Sequence, residues 1–258
     1  MAARLTAIVV GVAVGAIAAF AFLSYGFYEA LDSVTDGYLR AFVTKAIPPL
    51  AASFAGAVAA YSFSVYKDRQ ATAKIQIAAG NTAIFTLHHM YTVLSTLRDR
   101  YINPHRTDAN RWLTMDTPAP GLMQNITFDV DSLVFFLNHP SKDSPAAQVL
   151  SDLLFLGEQF RMIVALIDRR GTTIGEEVLP ALRAMTLPSP ANPPAAIATF
   201  QPNLHRRLVT LTDEIVSRVD SGITELDHMY PRLQSALRLL HPKGNFMELN
   251  FATRGPSP

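Results

Sequence analysis

The chain of 258 residues contains no cysteine. That absence removes disulfides, thiolate zinc sites, cysteine nucleophiles and S-acylation. An excess of one charge is missing as well. Lys and Arg number 22 against 21 Asp and Glu, and no run of like charge exceeds pairs such as Arg169-Arg170 and Arg206-Arg207. A surface that tracks a phosphate backbone needs a basic stripe, so no nucleic-acid partner is expected. Glycine forms no Gly-x-Ser-x-Gly elbow, Walker loop or dinucleotide fingerprint. Catalytic residues, metal ligands and cofactors are accordingly expected to be none, and repeats of fixed period are not visible.

Charge is also absent locally, and there the absence is a positive signal. Residues 5–25 and 46–66 carry no Asp, Glu, Lys or Arg. Each stretch of 21 residues covers about 30 Å as a helix, the thickness of a bilayer's hydrocarbon core. The two are expected to form a transmembrane hairpin over residues 1–66. The second span is richer in Ala and Ser and leans on the first. An alternative takes 5–25 as a cleaved signal, with Arg4 before it and Ala19-Phe20-Ala21 as the cleavage site; the second span then acts as the anchor. Arg4 precedes the first span, and Lys67, Arg69 and Lys74 follow the second. Positive residues are retained in the cytoplasm, so both termini are expected there, in a multi-pass protein suited to a bacterial inner membrane. Gly11 and Gly15 in the first span, with Ala52, Gly56 and Ala60 in the second, make small faces. These pack the hairpin on itself or join protomers of a homo-oligomer.

Beyond the spans, residues 67–242 read as a cytoplasmic antiparallel helical bundle, followed by a tail over 243–258. From Lys67 to Ile102 there is no proline and one glycine, Gly80, so the second span is expected to continue as one helix. Ile77, Ile84 and Tyr91 fall seven apart with Leu87, Leu94 and Tyr101 in register, a short coiled-coil seam broken by Gly80 and Arg98. Residues 103–124 read as a long loop around Trp112, the only tryptophan. Asp129 or Asp131 is expected to cap a short apolar helix that closes at Asn138. Ser144-Pro145 opens a helix to Arg170, with Gly171 as its C-cap and Arg169 and Arg170 against the helix dipole. A helix over 174–185 and a proline-rich linker over 187–194 follow. The last element, Leu204 to Leu240, keeps a 3.6-residue apolar period, and Pro231 is expected to kink or split it near Met229. Phe246, Met247, Leu249 and Phe251 alternate, as an edge strand or an extended docking tail.

Candidate chemistry is sparse. Glu225 and His228 match one Glu-x-x-His motif, whereas a dinuclear bundle site needs two, so a surface pair is the simpler reading. His88 and His89 point about 100° apart on a helix and do not share one metal. Asn125-Ile-Thr127 matches a glycosylation acceptor, inert on the expected cytoplasmic side. The loop holding Arg106, Arg111 and Trp112 is read either as an apolar plug on the bundle or as an anion-binding loop. Three functions follow. The first is a membrane-anchored scaffold, adaptor or signal-transmitting module with a membrane-protein partner. The second is a hairpin-driven homo-oligomer or pore-like effector in the lipid bilayer. The third is an enzyme or anion binder built on the Trp112 loop.

Overall fold

A computed structural model of the protein describes residues 37–118, 126–138, 145–184 and 193–249. The first expected span, with Gly11 and Gly15, lies outside the described residues, as do Asn125, Ser144 and the chain beyond Leu249. The described chain is mainly helical and holds no strand. It divides into two compact units, residues 1–74 and 75–258.

In the first unit the described residues belong to helix α1, Gly37–Leu97. It begins nine residues before the expected span and runs through Pro48 and Pro49. A proline removes one backbone bond, which a long helix in apolar surroundings tolerates. The helical run Pro49–His105 contains a window long and apolar enough to cross a membrane, and none of that window is buried. Leu50, Phe54, Tyr61, Phe63 and Tyr66 are all more than half exposed. For large apolar side chains in one continuous helix, that exposure needs a covering phase or partner.

The second unit is built on three long helices: the part of α1 after Ile75, α4 (Pro145–Thr173) and α7 (Pro202–Leu240). Between them lie α2 (Arg111–Thr114), α3 (Val130–Leu133), α5 (Leu179–Ala184) and α6 (Pro193–Phe200). Ile84, Leu87 and Leu94 of the expected seam are fully buried, with Ile77, Tyr91 and Tyr101 packed at the margin of the same core. Phe136, Leu153, Ile163, Val219 and Leu233 complete its centre. Burying each such side chain stabilises the fold by about 1.5–3 kcal/mol.

Cross-contacts fix the helix directions. On α7, Leu237 lies against Gly80 of α1, and Gly222 lies against Leu94. Arg232 pairs with Asp152 of α4 at 2.5 Å, and Arg218 bonds Gln159 at 2.9 Å. In both sets sequence numbers rise on one helix as they fall on the other, so α7 is antiparallel to α1 and to α4. Helices α1 and α4 are therefore parallel. This departs from a simple up-and-down order, because the chain between them returns along α7 instead of turning tightly. Arg106 and Arg111 carry the course of α1 on past Asp220 and Asp213; the return then passes Gly157 at Phe128 and ends at Phe135 near His241.

Several local expectations change. Gly171 is no C-cap: α4 continues to Thr173 and passes through a π-helical turn, Ile174–Val178, into α5. A Cβ at Gly171 would stand 3.1 Å from Thr117 Cγ2, so this glycine serves a close approach and not a chain reversal. Arg170 does not face the solvent at a helix end; it is 1% exposed. Pro193 and Pro194, read as linker, open α6, where proline's missing N–H costs nothing. Helix α7 is unbroken across Pro231. Asp129 does cap α3, accepting from the Ser132 N–H. The tail forms no strand over its described residues.

Candidate functional site

The segment after α1 leaves the helix in two steps, a π-helical turn over Arg98–Ile102 and a 3-10 turn over Asn103–His105. Asp108 then organises the approach to α2. Its carboxylate accepts from the Thr114 hydroxyl at 2.6 Å and from the Asn110 N–H at 2.8 Å. These bonds, the hydroxyl's first, hold Asp108 below the usual carboxylate range.

The structure brings Arg106, Arg111 and Trp112 together and turns each toward the protein. Arg106 Nη2 donates to both oxygens of Asp220, at 2.9 and 3.0 Å. Arg111 donates to Asp213 at 2.7 Å and to the Arg106 carbonyl at 3.0 Å. Trp112 is buried with Val178, Ile197, Leu204 and Leu208 in a second, smaller core. Its ring meets that of His205 edge-on, with centroids 4.8 Å apart. An external anion at this loop would compete with two carboxylates already in place. Both ion pairs are partly solvated, so each contributes on the order of 0–1 kcal/mol.

Beneath this loop lies a residue whose role sequence reading missed. Arg170 Nη2 donates to the carbonyls of Trp112 at 3.1 Å and Met115 at 2.7 Å. Its Nε reaches the Thr212 hydroxyl at 3.1 Å, and Nη1 reaches that of Thr117 at 3.4 Å. One guanidinium thus ties the loop to α4 and α7. Burial lowers its pKa to about 10, opposed by Asp116. A signal for this burial exists in the sequence. Leu153, Leu156, Phe160, Ile163, Ile167 and Arg170 continue one stripe at steps of three and four, so Arg170 occupies a core position. Thr212 is the matching buried polar residue on α7.

A further concave feature is an open groove of about 380 Å³ between α4 and α7, lined by Gln159, Glu214, Ser217, Arg218, Ser221 and Glu225. Arg218 crosses it, donating to Glu214 and Gln159 at 2.9 Å each. Glu225 and His228 are both exposed. Among the described residues no group of three or more His, Asp or Glu is placed to hold a metal ion. On α1, Ala52, Gly56 and Ala60 are exposed, and a Cβ added to Gly56 would meet nothing within 4 Å.

No protein-family model, curated protein or solved structure matches the chain. Functional inference therefore rests on this chain's own residues.

Proposed function

We propose that the protein is a membrane-anchored helical scaffold or adaptor that holds a partner membrane protein, or passes a signal to it. The observation that carries this reading is the change of character along α1. None of its apolar window is buried, whereas from Ala79 onward its residues enter a packed core. A lipid bilayer is the simplest cover for the first part, and Lys67, Arg69 and Lys74 beyond Tyr66 suit the headgroup region. With residues 5–25 as a second span, the protein is multi-pass with both termini cytoplasmic, in a bacterial inner membrane. Arg106, Arg111 and Arg170 are committed to internal clamps, which suits a loop that braces the protein.

Native mass spectrometry of the full-length protein, released gently from its own membrane, tests the proposal. A stoichiometric complex with another membrane protein is expected. Monomers without any retained protein would contradict it.

A second reading, a homo-oligomer assembled through the hairpins, is favoured by the open small face at Ala52, Gly56 and Ala60. In the same experiment it gives a defined oligomer of this chain alone. Replacing Gly11 and Gly15 by Leu would then dissociate that oligomer. Oligomers that survive the replacement would end this reading.

A further inference from the structure

We propose that the surface formed by Gly80, Asn81, Tyr230 and Gln234 is a binding site for an extended peptide, occupied in this chain by its own residues 245–249. The hydrogen bonds give the pattern. Asn81 Nδ2 donates to the Asn245 carbonyl at 3.3 Å, and Asn81 Oδ1 accepts from the Met247 N–H at 2.8 Å. That is the pairing a neighbouring residue in a parallel sheet makes on either side of residue 246, supplied here by one carboxamide. The reading continues at two-residue spacing. Gln234 Nε2 donates to the Met247 carbonyl at 3.3 Å, and the Tyr230 hydroxyl accepts from the Leu249 N–H at 2.6 Å. Two helices thus hold an extended segment by its backbone, using side chains in place of a strand edge.

Specificity comes from two other contacts. Phe246 is 7% exposed and seated on Gly80, where a Cβ would stand 3.3 Å from Phe246 Cε1. Glu248 pairs with Arg238 at 2.6 Å. The ligand that fits is therefore an extended segment with an aromatic residue followed two positions later by an acidic one. The attachment is also releasable. Met247 and Glu248 are exposed, and only two apolar side chains, Phe246 and the partly buried Leu249, anchor the segment, so it opens without unfolding the helices beneath it. An open site then accepts the same segment from a second copy, at the high effective concentration that a shared membrane provides.

The test uses the full chain in detergent micelles and a labelled peptide spanning residues 243–249, read by fluorescence anisotropy. Phe246→Ala vacates the site, and its cooperative melting is checked by circular dichroism. The peptide is expected to bind this variant at least tenfold more tightly than it binds the unsubstituted protein. Adding Asn81→Ala should lower that binding at least tenfold. A folded Phe246→Ala protein that binds no peptide, or binds it no better than the unsubstituted protein, would overturn the proposal. If the variant does not fold, hydrogen exchange of the unsubstituted protein decides. The Met247 and Leu249 amides should exchange at least 100-fold faster than the buried centre of α7, and equal rates would overturn the releasable site.

Discussion

Arg170 shows how one residue at a core position can do a polar job. Replacing it with Met keeps the volume but strands the Trp112 and Met115 carbonyls beneath the loop. Leaving two buried acceptors unpaired costs about 2–5 kcal/mol, to be measured as a shift in urea midpoint. Lysine should rescue little of this, because a point charge does not bridge acceptors as a planar fork does. Gly222 makes a sharper steric test. A Cβ there would stand 2.9 Å from Leu94 Cδ1, a mobile side-chain tip. Alanine should therefore be tolerated within about 1 kcal/mol, helped by its helix propensity. Leucine at the same position should cost about 1–3 kcal/mol or more through overpacking. His241 contributes a pH dependence just below its ordinary titration range. Burial lowers its pKa below the ordinary 6.5. Between 6.5 and that lower value the unfolded chain binds a proton that the folded chain does not, so stability falls as pH drops through the window. His241→Asn should flatten that part of a stability profile relative to the unsubstituted protein, and an unchanged slope would assign the dependence elsewhere.

At the scale of elements, periodicity was legible wherever apolar side chains decide the packing. The stripe from Leu204 to Leu237 is buried along its expected face, and the seam from Ile84 to Leu94 lies in the main core. Ends and turns were less legible, because proline and glycine have more than one use. Gly171 and Pro231 both carry signals that ordinarily stop helices, yet α4 passes through the first and α7 through the second. Packing on both sides of each position outweighs the local cost. Pro231 is exposed and still withholds one backbone donor from α7. Pro231→Ala should consequently stabilise the protein by about 1–3 kcal/mol, seen as a raised Tm with an unchanged helical spectrum. A lower Tm would mean that proline is relieving strain at that point. The Trp112 loop was legible as an unusual segment, but its clamps were not. Arg106 to Asp220 and Arg111 to Asp213 are paired across more than 100 residues, a distance over which local spacing carries no information.

At the scale of the whole molecule, two kinds of surface share one chain. The described residues from Ile75 onward close most of their large apolar groups into cores, whereas the apolar window of α1 leaves its groups open. The hydrophobic effect does not leave Phe54, Tyr61 and Phe63 uncovered in water without cause. Composition and length made that contrast visible from residues 46–66 alone. The parallel course of α1 and α4 was not visible, because it depends on a returning connection and not on any one helix.

Membrane anchoring through α1 is the central claim, and the absence of cysteine makes it directly measurable. Single replacements Phe54→Cys and Ile75→Cys would be labelled with a membrane-impermeant maleimide in membrane vesicles open on both faces. The Ile75→Cys protein should react at once, and the Phe54→Cys protein should react only after detergent is added. Equal labelling of both before detergent would place the apolar stretch of α1 in water and contradict the account.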